Sequence, residues 1–192
     1  MTCQEIKDIP ASQNAYSYLV EHFAGSKDPE TQALAVWGLY NSASLQASPA
    51  EEDRLYTEIV GRFDNEEAIR CREVVALALN GLADNVITEA KKLWLAEGEM
   101  ACRIRLFEVE ALLKKASDRC EDQPYVLGSR AYLEFLLGDR VNVREHLVRA
   151  VEKGGEDLRN DLLEAAVNDQ LPIDQEFVQI LQMIPAPKAD IS

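Results

Sequence analysis

Four cysteines and two histidines are the side chains best equipped for nucleophilic or metal chemistry, and their spacing suits neither. Cys3, Cys71, Cys102 and Cys120 are scattered, with no CxxC pair and no histidine cluster beside them. A structural zinc site needs paired ligands at short spacings, and a redox dithiol needs CxxC, so neither a metal nor a cofactor is expected. The thiols fit a reducing cytoplasm, buried or idle. His22 and His146 have no cysteine, serine or aspartate partner at a recognisable spacing, so neither is set up as a general base. GxGxxG, P-loop, GxSxG and HExxH patterns are missing. An enzyme on an α-helical scaffold using scattered carboxylates is the remaining catalytic alternative, and no acid pair points to it. The expectation is a protein that binds rather than catalyses.

Charge narrows what it binds. The net charge of −14 opposes a phosphate backbone and an anionic membrane surface, so no nucleic acid and no membrane are expected. No apolar run approaches the roughly 20 residues that span a bilayer. The first residues, MTCQEIKDIPASQ, have neither a basic region nor an apolar core, so a secretion signal is not expected there. With 192 residues, nearly half of them apolar, the chain can bury a substantial core.

The elements that would position a binding surface are helices. Residues 1 to 10 are expected as a flexible tail, and 185 to 192, punctuated by Pro185 and Pro187, as another. Between them lies one domain, 11 to 184. Ser12 can cap a helix to Phe23 that carries Tyr16, Leu19 and Val20 on one face. Asp28-Pro29-Glu30 combines a cap, a first-turn proline and an acid at the positive helix end, and predicts a helix over 29–46. Ser48-Pro49 opens another with Glu51 and Glu52 in its first turn. Further helices are predicted over 66–83, from beyond Asp84-Asn85 to Gly98, over 99–116, over 125–137, over 140–153, over 156–168 and over 173–184. Gly138-Asp139 and Gly154-Gly155 supply breaks where a left-handed residue is wanted. No stretch alternates apolar and polar residues long enough for a strand. The fold class is all-α, with about ten helices.

Self-comparison reveals a register. ALAVWGLYNSA at 33–43 aligns with EVVALALNGLA at 73–83, forty residues on, and the stretch ending at Ala116 aligns loosely with the one ending at Ala83, thirty-three residues on. Ala78, Ala90 and Trp94 place two small residues and a bulky one at fixed intervals, and Ala131, Val143 and Leu147 repeat the spacing, followed by Ala150. Small residues let two helices approach, and a bulky one fills the gap to the next pair. In these positions the chain resembles the tetratricopeptide repeat (TPR) family. The resemblance implies a right-handed α-solenoid of antiparallel helical hairpins over about two thirds of the chain. It is degenerate around 99–122, where a second helix of the unit is missing, and the first unit has a longer turn.

In that family the first helices of successive repeats line a concave groove for a peptide or helix of a partner. Carried over, the groove positions are Arg72, Val75, Leu79 and Leu82 in one unit and Tyr125, Tyr132, Phe135 and Leu136 in another, with Gln32, Ala35, Leu39 and Ser42 in the first. The competing expectation is that these mostly apolar side chains pack on neighbouring or C-terminal helices. Ala35, Leu39, Val75 and Leu79 stand where a clamp for chaperone C-termini needs Lys and Asn, so that function is not expected. Arg140, Arg144, Arg149 and Lys153 form a basic strip, expected to pair with local acids. The resemblance thus implies a cytoplasmic adaptor of the bacterial type that binds a protein or peptide partner. A secretion-type chaperone for an apolar client is the alternative, and self-association into an assembly subunit is a third.

Overall fold

A computed structural model describes residues 9–46, 48–167 and 171–185. Among them the chain is all-helical, with eight helices rather than about ten and no strand. It divides into two compact units, 1–81 and 82–192.

The first unit holds α1 (Ile9–Phe23), α2 (Pro29–Ser44), α3 (Pro49–Phe63) and the start of α4 (Ile69–Glu97), with α2 packed between α1 and α3. α1 begins earlier than its serine suggests. Pro10 lies in its first turn, where a missing N–H leaves no gap in the helix. Of the expected 1–10 tail, residues 1–8 lie outside the described residues. α2 starts as its sequence predicts: the Asp28 carboxylate accepts the Thr31 N–H at 2.9 Å, and Pro29 follows. α3 carries a surface ladder in which Arg54 bridges Glu51 and Glu58, and Arg62 reaches Glu58 from the next turn. α3 and α4 approach closely at Gly81, where a methyl group would collide with the Tyr56 ring.

α4 corrects two expectations. The break at Asp84-Asn85 does not occur, and one helix runs through it to Glu97. Neither residue is a strong helix breaker, since each costs well under 1 kcal/mol against alanine. The Asp84 carboxylate is engaged by the Ser129 hydroxyl at 2.9 Å, and the Thr88 hydroxyl donates to the Asp84 carbonyl at 3.0 Å. Ala78, Ala90 and Trp94 therefore share one helix and do not face each other across a hairpin. From Val74 to Asn80 every residue of α4 is buried, so this helix is enclosed on all sides there. Trp37 and Trp94 are half-buried.

The second unit continues with α5 (Glu99–Arg119), α6 (Pro124–Leu137), α7 (Arg140–Val167) and α8 (Asp174–Gln182). α5 packs on α6, α6 on α7, and α7 on α8. The α6–α7 hairpin follows its sequence closely. The Gln123 side chain caps α6 by accepting from the Tyr125 N–H at 2.7 Å. Gly138 closes it with φ 87°, and Asp139 accepts from the Asn142 N–H to start α7. Ala131, Val143, Leu147 and Ala150 are all fully buried between the pair. Gly128 lets α7 close on α6, since a methyl there would sit 2.9 Å from Leu162. α7 is interrupted at Gly155, whose φ of 73° and ψ of −163° leave the helical region, as the double glycine predicts.

Cys71 and Cys102 are buried thiols, and burial raises the pKa of each. Cys120 is half-buried, and Cys3 lies outside the described residues. Among the described residues no helix is long and apolar enough to cross a membrane.

Candidate functional site

The expected groove residues divide sharply by burial. Val75 and Leu79 in the first unit are 0% and 2% exposed, and Phe135 and Leu136 in the second are 1% and 6%. These four are core side chains. Arg72 and Leu82 are half-buried. Ala35 and Leu39 are buried as well, with Gln32 and Ser42 half-buried. Tyr125 is the one exposed member of the principal eight, and its hydroxyl donates to Asp161 of α7 at 2.9 Å.

Tyr132 explains why the α6 face is closed. Its ring meets Phe177 of α8 edge-on, with centroids 4.9 Å apart, and Phe135 packs on the same phenyl ring at 5.2 Å. α8, the last helix described, thus covers Tyr132 and Phe135, two of the positions that the family resemblance assigns to a partner. A polar knot holds it there. Asp174, 1% exposed, accepts the Tyr132 hydroxyl at 2.7 Å and the Leu171 N–H at 2.7 Å, and forms an ion pair with Lys91 of α4 at 3.2 Å. Lys91 is itself buried and lies 5.4 Å from the centroid of the Tyr132 ring. Burial, with the Asp174 carboxylate beside it, drives the tyrosine pKa far above its usual value. Isolated, the acid and the ammonium would each be costly to bury. Together with the hydroxyl and the backbone N–H they satisfy one another. The sequence marks Asp174 only as a helix start, and nothing local points to its partners at Lys91 and Tyr132, more than forty residues away.

Three cations of the basic strip on α7 form ion pairs with acids outside that helix. Arg140 makes a two-pronged contact with Glu176 of α8 at 2.8 and 3.0 Å and lies over the Phe135 ring at 4.0 Å. Arg149 and Lys153 both reach Asp122, at 2.9 and 3.0 Å. Hydrogen bonds from Lys153 and Arg149 hold the Asp122 carboxyl below the usual carboxylate range.

An open site lies instead between α5 and α6. It is a cleft of about 340 Å³ with Leu113 and Leu133 as its floor and the half-exposed Leu137 at its edge. Glu110, Lys114, Asp118, Arg130 and Glu134 stand around it with Ser117. Spacing explains the set: 110, 113, 114 and 117 share one face of α5, and 130, 133, 134 and 137 share one face of α6. Arg130 donates to the Ser117 hydroxyl at 3.2 Å, and that hydroxyl donates to the Leu113 carbonyl at 3.0 Å. The serine is thus held by a cation and a carbonyl, the opposite of what activates a nucleophile. Behind the rim, Glu134 meets His146 of α7 at 2.8 Å. Sequence reasoning passes over this cleft because it depends on α5 and α6 lying side by side. The only local sign is a leucine row flanked by charges.

No family model, no curated protein and no solved structure matches the chain.

Proposed function

We propose that the chain is a non-catalytic, TPR-like interaction module of the cytoplasm that takes a short amphipathic segment of a partner protein into the α5–α6 cleft. The observation that carries this reading is the cleft's build: an apolar floor of two leucines beneath a rim of three acids and two bases. Such a site takes an apolar anchor residue and orients its flanks by charge, the common manner in which helical grooves bind peptides. The TPR-like part of the reading draws on the α6–α7 hairpin, where small residues at the family's spacing are fully buried and the turn glycine is left-handed. The proposed docking surface differs from the groove positions that the resemblance names, of which Val75, Leu79, Phe135 and Leu136 are buried and Tyr132 and Phe135 pack on Phe177 of α8.

The test is to pan the immobilised full chain against a random-peptide display library. Enrichment of a consensus with one large apolar residue among charges is expected. Leu137→Glu, at a position 47% exposed and therefore tolerant of the change, should weaken the enriched peptide about tenfold or more by putting a charge at the pocket edge. The reading fails if no consensus emerges, or if the enriched peptide ignores both Leu137→Glu and Arg130→Glu.

A further inference from the structure

α5 is apolar on two opposite sides. At 100° per residue, Cys102, Leu106, Val109, Leu113 and Ala116 share one face, and all are at most 2% exposed. Met100, Ile104, Phe107 and Ala111 fall along a line on the reverse face. The first three are 74%, 79% and 68% exposed, the highest cluster of exposed large apolar side chains on any one helix described. Single exposed apolar residues are ordinary on protein surfaces. A row at intervals of four, three and four is the pattern of a helix covered from outside.

We infer that the cover is a second copy of this chain, its α5 packed antiparallel against the first across a two-fold axis between Ile104 and Phe107. Two features of the stripe are self-complementary in that arrangement. The first is volume. Ile104 meets Phe107 of the other copy in the two central layers, and Met100 meets Ala111 in the two outer ones, so the bulky pairs fill the middle of the seam and each outer layer sets a large side chain against a small one. The second is charge. Arg103 lies along one edge of the stripe and Glu110 two turns further along the same edge, and antiparallel packing sets the same edges against each other. Arg103 of each copy then stands opposite Glu110 of the other, twice by symmetry. The parallel alternative is disfavoured by the same line of residues, because Lys114 and Asp118 extend it. Each would face its own duplicate, two like-charge contacts at the seam.

The dimer must form against a charge of −14 on each copy. That repulsion is long-ranged and screened by salt, whereas the apolar contact is not, so added salt should strengthen the association. This direction is opposite to that of an interface driven by ion pairs alone. One α5 against another is a small interface, so the affinity belongs at the weak end of specific association.

The experiment is sedimentation velocity on the full chain from about 1 µM to a few hundred µM, a span that brackets a micromolar dissociation constant, at low and at high salt. The expected result is a monomer of 21.5 kDa converting to twice that mass as concentration rises, at lower concentration in high salt. Ile104→Glu should hold the protein monomeric throughout with an unchanged helical spectrum, since the position is 79% exposed. Arg103→Glu and Glu110→Arg should each weaken the dimer severalfold, and the double exchange should restore it. A wild-type chain that stays monomeric at every concentration overturns the inference and leaves the stripe to a different partner. So does a dimer that survives Ile104→Glu, or a double exchange no better than either single one. The cleft shares Glu110, Lys114 and Asp118 with this seam, so its own test is kept separate and rests on peptide capture through Leu137 and Arg130 of α6.

Discussion

Asp174 has three partners drawn from three places in the chain: an ammonium of α4, a phenol of α6 and a backbone N–H just before its own helix. Such a residue is defined by tertiary contact alone. The tyrosine it holds supplies a measurable signature. The folded pKa of Tyr132 lies well above the ordinary value of 10.0 because burial and the neighbouring carboxylate disfavour phenolate. A group whose folded pKa is raised contributes stability in full below its unfolded pKa, and that contribution is lost as pH climbs beyond it. Stability should therefore hold to about pH 10 and fall above it, and a spectrophotometric titration should find at least one phenol that ionises only with unfolding. Tyr132→Phe should remove that silent phenol and flatten the alkaline fall, at a cost of about 1–3 kcal/mol near neutrality for the hydrogen bond removed from a buried carboxylate. If all tyrosines titrate freely in the folded protein, the buried knot is wrong.

Among the elements, those with strong backbone punctuation follow the sequence and those without it do not. Asp28-Pro29 and the Gly138 turn act through φ restriction and side-chain caps, which are local, and both helices begin or end where those residues stand. Gly138 offers a direct check. With φ at 87°, a side chain there is strained although nothing crowds the position, so Gly138→Ala should cost about 1–2 kcal/mol in denaturant melts and Gly138→Asn less than half of that. Equal, negligible effects would mean that the turn relaxes freely. At Asp84-Asn85 the sequence offers only mild helix disfavour, and tertiary partners such as Ser129 outweigh it, so a helix passes through an expected break. The same reason hides the closure of the α6 face. Tyr132 and Phe135 have the helical spacing expected of either a groove or a core, and only the position of Phe177, forty-two residues beyond Phe135, decides between them. The all-helical class, the α6–α7 hairpin and the break at Gly155 are legible in the sequence. The α5–α6 cleft is not, because its two walls come from different helices.

At the scale of the whole molecule the dominant feature is excess negative charge with a few well-placed cations. Asp122 and Glu176 are held below their ordinary pKa values, first by hydrogen bonds from Lys153 and from Arg140 respectively. A depressed carboxylate contributes above its unfolded pKa, and the contribution disappears as pH falls through the folded one. Acidification from neutrality first removes net repulsion as the chain nears its isoelectric point of about 4.6. On further acidification these two carboxylates keep their charge to lower pH than in the unfolded chain, and release their cations only when they take up protons. Urea midpoints should accordingly hold from neutrality to near the isoelectric point and fall modestly on further acidification, since both ion pairs are exposed and each contributes little. Asp122→Asn combined with Glu176→Gln should make that drop shallower. A loss of stability centred between pH 5 and 7 would contradict the assignment.

The two buried thiols lie in separate units, Cys71 in the first and Cys102 in the second, each at most 1% exposed. A reagent in solution can reach either one only while its surroundings are open. The chain therefore carries two internal clocks, one for each unit, that run at the rate of local opening without any label being introduced. If the units open as one, the clocks keep the same time, and if they open separately, the less stable unit runs fast.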